Sequence, residues 1–257
     1  MYSYRAYVMA AFRGRLDEDD MDQIEQWIGT GPKTFTILYS ATRDGCAAAT
    51  FHQKCDSQGP TITVLYNPQG SVYGGYTGQA WDGSLDEYKV DATAFLYQLK
   101  FSGLEQRTKF PVVNGNNAMY SSATYGPTFG NGHELNSFQG TINASAGVYA
   151  LNGGVKLNDN KLYQVSNMSA SVKSWDDINN GSMNVTDIEV YAVTGTAVFG
   201  LVTLELKQFV GKYFVEIKYC AYHCVHYKFA PSPRLNCNKV NMLIFYGVYS
   251  LKLLLNK

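Results

Sequence analysis

No stretch of this 257-residue chain approaches the ~18–20 consecutive apolar residues that a membrane span requires. The nearest, Met242 to Leu255, is shorter and carries Lys252. Net charge is lacking as well, 21 basic residues balancing 21 acidic ones. Cysteine is sparse: Cys46, Cys55, Cys220, Cys224 and Cys237 make an odd, widely spaced set, which argues against a disulfide scaffold. The opening MYSYRAYVMAAFRGRL is broken by Arg5 and Arg13 and leaves no clean apolar core for a secretory signal, so a cytoplasmic location is expected. The sequons at Asn143, Asn167, Asn180 and Asn184 then read as loop asparagines rather than glycan acceptors. A phosphate-cradling GxxxxGK[ST] loop is missing too. Its nearest approach, Gly29-Thr30-Gly31-Pro32-Lys33-Thr34, puts Pro32 before the lysine and leads from a helix into a strand, the reverse of the required order.

What is present suits a loop-rich β protein: 46% apolar residues, 24 glycines and 20 tyrosines. Asp17 to Asp20 precede Met21, Ile24, Trp27 and Ile28, whose spacing predicts an amphipathic helix with acidic residues at its positive end and Trp27 as an anchor onto a sheet. Gly29 to Pro32 ends it. Strands are predicted near 34–40, 61–66, 71–77, 93–101, 117–121, 138–142, 147–150 and 185–194, with a helical turn at 47–54 and a long surface loop at 152–174. Residues 197–257 differ: eight basic residues face two acidic ones, and only Gly200, Gly211 and Gly247 punctuate them. There, VTLELKQFVGKYFVEIKY reads as one or two strands. An edge strand plus an extension, and an intron read-through or aberrant gene model, are the two accounts of this tail.

The order of motifs carries a resemblance. FTILYS is followed by Ser40-x-x-Arg43-Asp44-Gly45, a short helical segment, Cys55-Asp56-x-x-Gly59-Pro60-Thr61, the strand TITVLY and VYGGY. Downstream come Ala94-Phe95-Leu96-Tyr97-Gln98-Leu99, the glycine-rich Tyr125–Leu135 and the closing MNVTDIEVYAV. Together these resemble the TLDc domain over residues 16–194, with 195–257 left as a divergent basic tail. Departures are Asn131 for a glycine, Glu134 for an aspartate and Tyr191 for a tryptophan. NPQGSVYGGY and the segment from NGNNAMY to YGPTFGNGHEL are most similar to the TLDc-like head of interferon-induced GTP-binding proteins. The resemblance implies a mostly β (α+β) fold, a two-sheet antiparallel β-sandwich with a few short helices. It also implies a non-enzymatic protein-interaction module with a V-ATPase-related, oxidative-stress-protective or innate-immune role. The alternative is a truncated regulatory head lacking its GTPase domain.

Candidate chemistry is thin, and no catalytic, cofactor or metal residue is expected. His52 and Cys55 share a helical face, but two ligands make no structural zinc site, and neighbouring Lys54 is weak support for an activated thiol. Cys220, His223, Cys224, His226 and Cys237 have zinc-type atoms at spacing that fits no zinc finger. His133-Glu134 is the most site-like pair, yet neighbours on an extended backbone point to opposite faces, and Glu134 is as readily a cap for backbone amides in a glycine turn. Loops of a sandwich carry binding. Glycines beside aromatics therefore make Tyr73, Tyr76, Tyr125, Phe129, His133 and Glu134 the partner-binding candidates, the aromatics being expected at the surface. The partner is a protein, V-ATPase subunits on the resemblance, rather than nucleic acid.

Overall fold

The computed structural model describes residues 14–156, 162–164 and 176–195 in full and five tail strands by backbone alone. It divides into two units, Met1–Thr196 and Ala197–Lys257. The first begins with α1 (Glu18–Ile28), β1 (Lys33–Ser40), α2 (Ala41–Asp44), β2 (Cys46–Ala47), α3 (Ala48–Cys55), β3 (Thr61–Tyr66) and β4 (Val72–Thr77). There follow β5 (Glu87–Lys89), β6 (Phe95–Phe101), β7 (Leu104–Pro111), β8 (Met119–Ser121), β9 (Thr128–Phe129) and β10 (Leu135–Asn136). The unit closes with β11 (Thr141–Ile142), β12 (Ala144–Ser145), β13 (Val148–Ala150), β14 (Gly154–Val155), α4 (Asp176–Asn179), β15 (Asn184–Val185) and β16 (Asp187–Gly195).

Two antiparallel sheets form the sandwich. One has the order β1-β16-β3-β4-β6-β7 and the other β14-β10-β9-β8-β5. Strand alternation sorts the side chains. Ile62, Val64, Tyr66, Phe95, Tyr97, Tyr191 and Val193 fall in one buried cluster with Ile24 of α1. Leu65, Tyr73, Leu96, Ile188 and Val190 fall in another with Met119, Phe129, Leu135 and Val155 of the second sheet. The larger sheet is thus covered on both faces, which is why β3 and β4 are buried at every position.

Helix α1 starts at Asp17, whose carboxylate accepts the Asp20 N–H at 2.8 Å, and stops at Gly29, held at φ 74° with its N–H on Glu25 O. It lies across the outer face of the large sheet: Trp27 packs on the rings of Phe95 and Tyr97, 6.2 and 6.1 Å between centroids. Lys100 bonds both Asp17 and Asp20 at 2.9 Å and fixes the helix to β6.

Sequence and structure differ in particular places. The expected strand at 138–142 shrinks to β11, and the expected loop at 152–174 opens with β14 paired to β10. Strands β5 and β7 lie where none was predicted, because their sequences, EYK and LEQRTKFP, are polar edge strands without clean alternation. Within the tail unit, β17 (Gln208–Val210), β18 (Tyr213–Tyr219) and β19 (Val225–Phe229) form one sheet, and β20 (Asn241–Ile244) pairs with β21 (Leu251–Leu254). The zinc reading of Cys220 to Cys237 falls outside the described residues.

Candidate functional site

The aromatic candidates divide by burial. Tyr73, Tyr76 and Phe129 are 1%, 6% and 0% exposed, so the expectation that they lie at the surface is overturned. Tyr76 faces α1's side of the sheet and stacks on Phe95 at 5.0 Å, while Tyr73 and Phe129 are buried between the sheets, where Gly75 allows the close approach. A Cβ on Gly75 would sit 2.7 Å from the Phe129 ring, so the glycine admits a side chain of the second sheet, not a partner's backbone. Trp81 completes that contact, edge-on to Phe129 at 5.6 Å and to Phe51 of α3 at 5.4 Å.

Tyr125 and His133 remain half-buried at the surface, and the structure brings them together. His133 occupies the glycine-rich turn at φ 55°, its N–H on Gly130 O at 3.1 Å. Its ring stacks on Tyr120 at 5.4 Å and meets Tyr125 edge-on at 5.5 Å. Tyr88 stands opposite Tyr120 across β5 and β8, their rings 4.8 Å apart. Because Met119 and Ser121 point inward and are buried, Tyr120 points out, and four rings tile the solvent face of the smaller sheet. Asp86, exposed in the loop before β5, accepts a hydrogen bond from the Tyr120 hydroxyl. That bond holds the Asp86 carboxyl below its usual range.

Glu134 points the other way and is 3% exposed. Its carboxylate accepts the Gly132 N–H at 3.1 Å and fills the space above Gly130, where a Cβ would collide with Oε2. Burial pushes its pKa up, against the pull of the Gly132 amide. It is an internal strut of the turn and presents nothing to a partner. Burial, with Lys156 behind it, lowers the His133 pKa below 6.5. With its carboxylate neighbour inverted and the Tyr88 hydroxyl 3.4 Å from Nε2, His133 has no built proton relay. Beside it an open notch of about 140 Å³ is lined by Asn136, Asn152, Gly153, Gly154 and Lys156.

His52, weighed against Cys55 in the sequence, pairs one residue further on. Nδ1 lies 2.7 Å from Asp56 Oδ1, while Nε2 reaches the carbonyls of Ser122 at 2.8 Å and Tyr125 at 3.0 Å. Asp56 in turn accepts the Gly83 N–H at 2.8 Å. His52, buried on α3, and the half-buried Asp56 at its C-cap therefore clasp the two loops that flank the aromatic face. Cys46 and Cys55 are buried, and burial raises both thiols, Cys46 to about 12, the opposite of what redox activation needs. No group of three His, Cys, Asp or Glu is placed to hold a metal ion among the described residues.

Tyr88, Tyr120, Asp86 and Asp56 were missed in the sequence. The i,i+4 spacing of His52 and Asp56 was a legible signal; the cross-strand meeting of Tyr88 and Tyr120 was not, because β5 was unrecognised. The Gly29–Thr34 string leads out of α1 into β1, and the Lys33 ammonium is taken by the Thr30 and Gly31 carbonyls at 2.8 and 2.7 Å.

A search of curated proteins returns no match. The family model of the TLDc domain matches residues 15–194, which span the two sheets, the helix that covers the larger one and the aromatic face, and the chain belongs to the TLDc domain family.

Proposed function

We propose that this chain is a non-enzymatic protein-interaction module of TLDc type whose contact surface is the face formed by Tyr88, Tyr120, Tyr125 and His133. One observation carries this reading. Four half-buried rings share one solvent-facing patch, and their loops are fastened from beneath by the His52–Asp56 pair. Rigid amphipathic rings supply contact area at low entropic cost, and fastening them beforehand lowers the cost of binding further.

The family suggests the partner: cytosolic V-ATPase subunits, with oxidative-stress protection or innate immunity as the setting. Within the family we place the chain nearest the heads of interferon-induced GTP-binding proteins, on NPQGSVYGGY and YGPTFGNGHEL, which makes its role regulatory. The test is capture of purified V-ATPase subunits by the immobilised full-length chain. Tyr125→Ala with His133→Ala is expected to reduce capture at least about tenfold, the loss of roughly 1.4 kcal/mol. Leu104→Ser, at a 73% exposed position on the edge strand β7, is expected to leave it unchanged. Equal capture by all three proteins, or none by the wild type, rejects the proposal.

A further inference from the structure

The aromatic face is not electrostatically uniform, and its polarity points to the chemistry of the group it receives. The loop at 82–86, DGSLD, carries Asp82 and Asp86 and no basic residue. Asp86 is exposed. The Asp86 carboxylate touches the Tyr120 hydroxyl and, as an ionised group, keeps further lone pairs to offer. On the opposite rim, beyond His133, stands the exposed Lys156. The other nearby cation, Lys89 of β5, is tied to the Ala80 carbonyl at 2.9 Å. A cationic guest is thus attracted at the Tyr88–Tyr120 end and repelled at the Lys156 end.

Tyrosine faces attract cations, and guanidinium is the cation that both lies flat on a ring and forks onto a carboxylate. Resting on the reading of this face as the contact surface, we propose that it receives an arginine side chain of the partner protein, stacked on Tyr88 and Tyr120 and paired with Asp86. The planar guanidinium covers the rings while its N–H groups reach the carboxylate that Tyr120 already orients. Lysine, a compact and strongly hydrated charge, cannot lie flat on the rings and cannot fork onto the carboxylate, so it makes both contacts more weakly. The loop that brings Asp86 to the rings is held by the bond from Gly83 N–H to Asp56, so the carboxylate is in place before the guest arrives.

Three synthetic peptides of one length serve as probes of the full-length chain by titration calorimetry: alternating arginine and glycine, alternating citrulline and glycine, and alternating lysine and glycine. The arginine peptide is expected to bind most tightly and the citrulline peptide, the same shape without charge, at least about tenfold more weakly. Asp86→Asn, a change at an exposed position, is expected to weaken arginine binding and to leave the citrulline peptide unaffected, with an unchanged melting temperature as the control. Tyr120→Phe keeps the ring and frees Asp86, and is expected to lose less than Tyr88→Leu, which removes a ring. Equal binding of arginine and citrulline peptides, or arginine binding indifferent to Asp86→Asn and Tyr88→Leu, overturns the proposal. The same variants separate this failure from that of the broader reading. If Tyr88→Leu abolishes capture of V-ATPase subunits while Asp86→Asn does not, the surface stands and the arginine falls. If neither changes capture, both fall.

Discussion

Glu134 shows how an ionisable residue beside a functional one can serve the fold alone. Its carboxylate sits inside the turn on the Gly132 amide, and burial raises its pKa above 4.5. The folded state therefore holds the Glu134 proton more tightly than the unfolded chain does. The resulting stability is fully present below the unfolded value and is lost as pH rises through the folded one. At neutral pH the charge is a cost, and Glu134→Gln, which keeps an acceptor for Gly132, is expected to melt at or above the wild-type temperature. As the pH falls toward 4.5 the wild type gains on the variant, because only the wild type takes up that proton. Glu134→Ala removes the acceptor and empties the turn, costing about 1–3 kcal/mol at any pH. Thermal melts of the three proteins at neutral and mildly acidic pH check this; a wild-type to Gln difference that does not move with pH contradicts it. His133 was visible in the sequence beside glycines, and so was its inversion relative to Glu134. What could not be seen was which of the two faces water, since that depends on the sheet beneath the turn.

At the scale of elements, the legible parts are those whose periodicity survives burial on one or both faces. Helix α1 announced itself through Met21, Ile24, Trp27 and Ile28, and β1, β3, β4, β6 and β16 through dense β-branched and aromatic residues. The position of α1 was not legible. Across a face rather than at an edge, it explains why β3 and β4 show no polar alternation, a pattern that by itself suits a buried core strand of any layer. The short strands of the second sheet, two or three residues each, fall below the length at which a period can be read. VYGGY misled because glycine beside tyrosine permits close approach from either side, and here the approaching group is Phe129. This spacing is testable. Gly75→Ala pushes a methyl group into a ring that is 0% exposed and is expected to cost about 1–3 kcal/mol, because Phe129 has nowhere to move. Adding Phe129→Leu to Gly75→Ala is expected to cost less than the sum of the two single changes, a coupling read from a double-mutant cycle by denaturant unfolding. Strict additivity would mean that the sheets do not meet at this pair.

Across the whole first unit, the outer faces of the two sheets differ. The larger sheet is closed on its outer face by α1, anchored through Lys100 to Asp17 and Asp20. Among the described residues, no helix lies over the outer face of the smaller sheet where the half-buried Tyr88, Tyr120, Tyr125 and His133 lie. The His52–Asp56 pair, 9% and 31% exposed at the side chains, ties α3 in the core to both loops of that face, the contact surface of the proposal. Amide hydrogen exchange of the full-length chain, free and bound to a captured V-ATPase subunit, tests the location of the contact most directly. The account predicts that binding slows exchange in the segments 82–88, 119–125 and 130–134 and leaves β7 and the acidic first turn of α1 unchanged. Protection confined to α1 or to the β7 edge, with those three segments exchanging as in the free chain, would contradict it.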